Sequence, residues 1–182
     1  LTMIALGFSS GFPLLLVFGT LNLWLKDAGI SYAAIGLFSL VKTPYSFKWA
    51  WSPIIDRIRL PLFCRLGRRR GWAFFIQIIL LFSILGMSTV EPAATPFTMA
   101  FFAVLVTVAS ASQDIVLDAY RIESFNSKEQ GAGVAVFVLG YRFGLVFSGA
   151  GAIWMASAMD WNDVYKIMAL GTIVGMLAVL CS

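Results

Sequence analysis

The sequence predicts an all-α integral membrane protein built as a six-helix bundle. Three observations carry that prediction. The 182 residues are 60% hydrophobic and only 12% charged, with a mean hydropathy of +0.89; a soluble globular domain holds about 25% charged residues. The apolar residues fall into six runs, each close to the ~20 residues that cross a bilayer as a helix. Arginine and lysine are concentrated in alternate connections between those runs.

The runs lie near residues 2–25, 32–55, 72–90, 97–120, 132–156 and 163–182. Span one ends at Lys26-Asp27-Ala28-Gly29, and span two at the Arg-rich stretch from Asp56 to Gly71. Glu91-Pro92 separates spans three and four, Arg121 to Gln130 separates four and five, and Asp160-Trp161-Asn162-Asp163 separates five and six. Span six runs out at Ser182, and the chain begins at Leu1 without an initiator Met; the expectation is that the sequence is a piece of a longer protein. No cleavable signal peptide is visible. Cys64 and Cys181 lie far apart and suggest neither a disulfide framework nor a zinc site.

Orientation follows from charge. The second and fourth connections hold Arg57, Arg59, Arg65, Arg68, Arg69, Arg70, Arg121 and Lys128, whereas the others hold little beyond Lys26 and Lys166. The positive-inside rule then places the even-numbered connections and the N-terminus in the cytoplasm. Trp24, Trp51, Trp72, Trp154 and Trp161 fall near predicted helix ends, where interface anchors are expected. The basic run is wedged between two spans, which argues against a nucleic-acid surface.

Small residues predict close helix packing. Gly7 and Gly11 in span one, and Gly140 and Gly144 in span five, form GxxxG patterns, the latter continuing through Ser148 and Ala152. Pro13 and Pro44 sit inside spans one and two, where each removes a backbone hydrogen bond and should bend its helix.

The candidate functional residues are charged and amide side chains inside stretches that ought to be in lipid. Gln113, Asp114 and Asp118 follow a stretch, Phe97 to Ala109, with no charge. A charge at the centre of a bilayer costs about 2.5–3.5 kcal/mol on insertion scales, so such groups persist where they face a bundle interior, an ion path or a substrate. Lys42, Lys48 and Arg142 complete the set. At a rise of about 1.5 Å per residue, Lys48 and Asp114 each lie roughly 10 Å inside the cytoplasmic surface, and Lys42 and Arg142 near the midplane. Thr107, Ser110, Asp114, Asp118 and Arg121 share one face of span four. Lys48 and Asp114 are expected to pair, either as a bond that fixes helix register or as a proton switch. Asp118 with Arg121 reads either as a surface ion pair or as a relay. Lys42 and Arg142 have no acid at their depth and are expected to meet an anionic substrate, with Gln113 and Tyr141 as further substrate-binding candidates. Histidine is absent, and no serine–lysine, zinc or Walker arrangement stands out, so the chain reads as no enzyme and as needing no cofactor.

The run from Ser110 to Ala119, then Gly131-Ala132-Gly133 and Leu139-Gly140-Tyr141-Arg142, resembles the AmpG-type muropeptide permeases of the major facilitator superfamily. So do Gly7 to Leu14, Phe47-Lys48-Trp49 and Trp51 to Arg57, so the resemblance covers nearly the whole chain. It implies the N-terminal half of a twelve-span fold, with the site at the midplane between two six-span halves. Asp56-Arg57 followed by Gly67-Arg68-Arg69-Arg70 is similar to the superfamily's cytoplasmic gating motif, to which Arg121 is added as a candidate. Ser52 stands where that motif opens with glycine, and about eight additional residues separate its two parts. The resemblance implies proton-coupled import of anhydro-muropeptides across a bacterial inner membrane for cell-wall recycling. The partners it implies are the bilayer, protons, the anionic substrate and a C-terminal half. Acetyl-CoA or another anionic metabolite is the alternative cargo. A non-transporting membrane sensor or assembly protein is the alternative of another class.

Overall fold

The computed structural model describes residues 2–58, 67–126 and 128–182. Arg59, Cys64 and Arg65, counted above, lie outside the described residues. The described residues are all helical or connecting, with no strand among them, and five helices are long and apolar enough to cross a membrane.

Helix α1 runs Thr2–Asp27. Pro13 lies inside it, and the chain then widens into a π turn over Leu16–Thr20. Two side-chain hydrogen bonds tie this turn to its neighbours. The Tyr165 hydroxyl donates to the Leu16 carbonyl at 2.8 Å, and the Thr20 hydroxyl donates to the Ser148 carbonyl at 2.9 Å. Gly29, at φ 77°, ends the helix: the Ile30 N–H reaches the Leu25 carbonyl and the Gly29 N–H the Lys26 carbonyl, both at 3.0 Å. A residue with a Cβ is strained in that left-handed conformation.

The segment read as one span over 32–55 is instead a chain of short helical turns. These are α2 Tyr32–Phe38, a 3-10 turn Ser39–Lys42, α3 Thr43–Ser46, a 3-10 turn Lys48–Ala50 and α4 Ser52–Arg57. Pro44 and Pro53 open α3 and α4, at positions where their missing N–H is tolerated but a continuous helix is not. Packing does not restore regularity, because only Val41 and Ile55 are buried in this segment. Ser39, Lys42 and Ser46, which one regular helix would align on a face, lie here on separate turns.

Helix α5 spans Arg68–Ser88, α6 Pro96–Ser124, α7 Gln130–Ala156 and α8 Trp161–Leu180. Helix α1 is central and packs on α6, α7 and α8; α5 fits between α6 and α8; the α2–α4 segment rests on α6. The closest approach is between α1 and α7. A Cβ at Gly7 or Gly11 would strike the α7 backbone at Phe137 or Tyr141, and one at Gly140 or Gly144 would strike the α1 backbone at Ile4 or Phe8. The two GxxxG patterns thus face each other inside one chain. Their stripe continues to buried Ser148 and Ala152, and a second π turn, Phe147–Gly151, sits there.

Large apolar side chains such as Phe82, Phe97, Phe101, Trp154, Leu170 and Leu177 point outward and are exposed. That is the surface expected of a protein whose solvent is lipid. Trp24 corrects the reading of it as an interface anchor: it is only 4% exposed, with its ring 4.7 Å from Tyr165 and stacked on Trp161 at 6.4 Å. The two ends of the bundle differ in charge. Asp27, Glu91, Asp160 and Asp163 line a cleft at one end, and Arg68, Arg69 and Arg70 line a cleft at the other.

Candidate functional site

The site is built on α6, where five small or polar residues in a row, Ala109 to Gln113, pass through the core. Asp114 follows them and is 9% exposed. Its carboxylate accepts from hydroxyls of two other elements: Ser10 of α1 at 2.5 Å, and Tyr45 of α3. A buried carboxylate is tolerable when its lone pairs are occupied in this way. The ion pair expected between Lys48 and Asp114 is not made. Lys48 places its ammonium 5.1 Å from the Tyr45 ring centroid and acts on Asp114 only through its charge, as Asp118 does. The reason is the broken second segment, which puts Tyr45, not Lys48, against α6. Trp51 of the same segment donates to Ser112 at 3.1 Å.

Beside Asp114, on an adjoining face of α6, lies an uncharged knot. Gln113 is 0% exposed, and its amide N–H donates to the Ser9 hydroxyl at 2.7 Å; the Gln77 amide of α5 donates to the same oxygen. Gly175 of α8 makes room, since a Cβ there would collide with Ser9 and Gln77. The Gln113 carbonyl oxygen has no partner among the described residues. Turning its amide over would let the Ser9 hydroxyl donate to that oxygen instead. Gln113, expected at the substrate, therefore offers a ligand no surface in this conformation; it joins α1, α5 and α6.

Lys42 lies 5.4 Å over the Phe18 ring, and Arg142 is exposed on α7, turned away from buried Gly140 and Gly144. Tyr141, half-buried beside Arg142, is within range of the Asp114 charge. Lys48 and Tyr141 are thus near enough to Asp114 to act on it electrostatically, Arg142 acts on Tyr141, and Lys42 lies beyond them against Phe18, whose ring packs on Tyr45.

At the basic end, Arg69 bridges two carboxylates. It pairs with Asp56 of α4 and donates through two nitrogens to one oxygen of Glu123 on α6, at 2.9 and 3.1 Å. Arg68 donates to the Asp56 carbonyl at 3.1 Å, and Arg70 to the Val179 and Leu180 carbonyls at 3.0 and 2.7 Å, closing the C-terminus of α8. Arg121 pairs with Asp118 at 3.1 Å and lies over the Phe137 ring at 5.2 Å. Asp118 itself is half exposed, and Arg57 is exposed. Asp56, Arg68, Arg69 and Glu123 are thus one ionic cluster, with Arg57 outside its hydrogen bonds as described.

Sequence reasoning missed Ser10, Tyr45, Ser9 and Gln77 as members of these clusters, and saw Glu123 only as a proton acceptor beyond Asp118, not as a partner of Arg69. Gln77 carried a signal, as the one amide in an apolar span. Ser9-Ser10, between the two glycines of the motif, was readable only as packing. Tyr45 was hidden by the assumption of a regular helix.

Helices apolar outside, with a carboxylate, amides and hydroxyls in the middle, define an integral membrane helix bundle with a polar interior. The family described as Acetyl-coenzyme A transporter 1 matches residues 1–97. The chain is 44% identical to the anhydromuropeptide permease of Escherichia coli (strain K12), over 98% of this chain and 36% of that protein. A Rickettsia prowazekii protein named as transporter AmpG 3 is 36% identical, over 97% of this chain and 42% of its own length. An uncharacterized Haemophilus influenzae protein is 36% identical over 96% and 40%. The chain belongs to the AmpG-type permease family of transporters within the major facilitator superfamily. It is a multi-pass membrane protein and not an enzyme. It spans less than half the length of these curated relatives.

Proposed function

We propose that the chain is the N-terminal half of a proton-coupled secondary transporter that imports anhydro-muropeptides across a bacterial inner membrane. The observation that carries this reading is Asp114: an ionisable group in the core, held by hydroxyls from two other elements, with the Lys48 ammonium near enough to act on it through its charge. A coupling proton needs such a group, able to ionise but shielded from bulk water. In this reading Asp114 takes the proton, Asp118 passes it toward the basic end, and Lys48 biases Asp114 by its charge. Lys42, Tyr141 and Arg142 receive the anionic groups of the cargo. Asp56, Arg57, Arg68, Arg69 and Arg121, with Glu123, gate the basic end.

The partners in this reading are the bilayer, protons, the cargo and a second six-span half, without nucleic acid. The basic end faces the cytoplasm, together with the N-terminus, by the positive-inside rule. The cargo comes from the name of the Escherichia coli relative; the family matched over residues 1–97 favours acetyl-CoA or another anionic metabolite as the second reading.

The test is Asp114→Asn in the full-length transporter reconstituted in liposomes. Asparagine keeps the shape and the acceptor oxygen but does not ionise. Uptake driven by a pH gradient should be lost while substrate exchange continues. Accumulation at the wild-type level would remove Asp114 from coupling. Competition between muropeptide and acetyl-CoA in the same liposomes decides the cargo.

A further inference from the structure

Tyr45 occupies an unusual position. It is borne by the α2–α4 segment, which is mostly exposed and rests on α6, yet its hydroxyl reaches the buried Asp114 carboxylate. The segment is built from joints. Phe47 (φ −98°, ψ 11°) leaves helical geometry before the Lys48–Ala50 turn, Trp51 is a single turn residue between that turn and α4, and Pro44 stands immediately before Tyr45. Toward the basic end the segment is held by contacts that do not involve Asp114: Trp51 on Ser112, and Asp56 on Arg69. Among the described residues, the polar contact that holds its middle turn is the one from Tyr45.

We propose that Tyr45 is a latch that transmits the charge state of Asp114 to this segment, holding its middle turn on α6 while the carboxylate is ionised and releasing it on protonation. The proposal rests on the reading of Asp114 as the coupling group. An ionised carboxylate accepts only, and its two oxygens serve both Ser10 and Tyr45. An arriving proton forms an O–H on Asp114, while Tyr45 and Ser10 keep theirs, so three hydroxyls then compete for fewer acceptor sites. Charge-assisted hydrogen bonds are about twice as strong as neutral ones, so both contacts weaken. Ser10 is on α1, locked against α7 through facing glycines, and stays. Tyr45 is on the jointed segment and leaves. The surrounding charges act in the same sense. Lys48, on the same segment over the Tyr45 ring, loses its attraction to the carboxylate when it is neutralised. Asp118 on α6 and Tyr141 with Arg142 on α7 are the other titratable or charged groups facing this layer; they sit on continuous helices and do not hold the segment. From α1 the facing group is the Ser10 hydroxyl.

The experiment uses the full-length transporter in lipid nanodiscs, with native cysteines replaced by serine. Spin labels go on Ser46, exposed in the middle turn, and Phe101, exposed on α6. Pulsed electron resonance reads their separation at neutral and acidic pH. The wild type should lengthen on acidification. Tyr45→Phe keeps the ring against Phe18 and Lys48 but lacks the hydroxyl; it should show the long separation at both pH values. Ser10→Ala removes the other hydroxyl and should keep the short separation at neutral pH. A wild type indifferent to pH, or a Tyr45→Phe that follows the wild-type response, overturns the latch. So does a Ser10→Ala already released at neutral pH. Those results leave the coupling reading standing if Asp114→Asn still loses gradient-driven uptake; loss of that reading shows instead as an Asp114→Asn that accumulates normally.

Discussion

At the residue scale, two polar groups of α6 that adjoin in sequence have opposite fates. Asp114 is within reach of two hydroxyls and of the Lys48 charge, and Gln113 is sealed among α1 and α5. Gln113→Leu should therefore lower stability without touching the cargo. It takes from the buried Ser9 hydroxyl its Gln113 partner and leaves only the Gln77 contact, at a cost of about 0.5–1.5 kcal/mol for a lost intramolecular hydrogen bond. Thermal unfolding in detergent should shift down while KM for uptake stays at the wild-type value; a KM effect with intact stability would return Gln113 to the substrate. Arg142 gives the reverse pattern. It is exposed beside Tyr141, so substitution costs little stability. A guanidinium grips a carboxylate with two parallel hydrogen bonds that an ammonium does not reproduce. Arg142→Lys is expected to weaken cargo affinity about tenfold, which is ~1.4 kcal/mol, and Arg142→Ala more; an unchanged affinity in Arg142→Ala rules out the contact. That these positions mattered was legible from charge in an apolar run. Which of them is sealed and which is open was not, because that depends on where a neighbouring helix ends up, and sequence spacing fixes only the face.

At the element scale, glycine spacing proved more informative than hydrophobic length. The two GxxxG patterns face each other, and a Cβ at Gly140 would fall on the Ile4 carbonyl, a backbone group with nowhere to go. Gly140→Ala should cost about 1–3 kcal/mol, the usual range for overpacking. Gly131, on the same helix, has open space at its Cβ position. Gly131→Ala should be neutral or stabilising by about 0.5–1 kcal/mol, through helix propensity alone. Comparing the two unfolding midpoints checks the packing; equal shifts would mean the α1–α7 contact is looser than described. The second segment misled for a physical reason. Its apolar length is enough for a span, but Pro44 and Pro53 both allow a helix to begin and forbid it to continue, and little of the bundle packs on it to enforce one rod. Pro13 also lies inside a helix, yet α1 survives as one, with a π turn whose Leu16 carbonyl is met by Tyr165 and whose Thr20 hydroxyl reaches the Ser148 carbonyl of α7. Burial is what separates the two outcomes, and burial is not written in the local sequence.

At the scale of the whole molecule, charge and exposure are both lopsided. One end carries Asp27, Glu91, Asp160 and Asp163, and the other the Arg68–Arg70 run with its Asp56 and Glu123 partners. Single cysteines at Trp161 and Ile122 should react with a membrane-impermeant thiol reagent from opposite sides, Ile122 only after the cytoplasmic face is opened; labelling from one side would overturn the orientation. Exposure is lopsided because the α2–α4 segment and the outward face of α7 are uncovered, and they bear Lys42, Lys48 and Arg142. In a twelve-span transporter the cargo site lies between the halves, so cations on an uncovered face have a use only when a second bundle faces them. The relatives are more than twice the length matched here, which leaves room for such a bundle. Residues 1–182 expressed alone should therefore insert into the membrane but give no uptake above empty liposomes. Co-expression with a separate chain carrying the remainder of the full-length protein should restore transport, and Arg142→Ala in the first chain should weaken it again. Robust uptake by a monomer of these residues alone would sink the two-half reading, because a single bundle would then supply both walls of the cargo site.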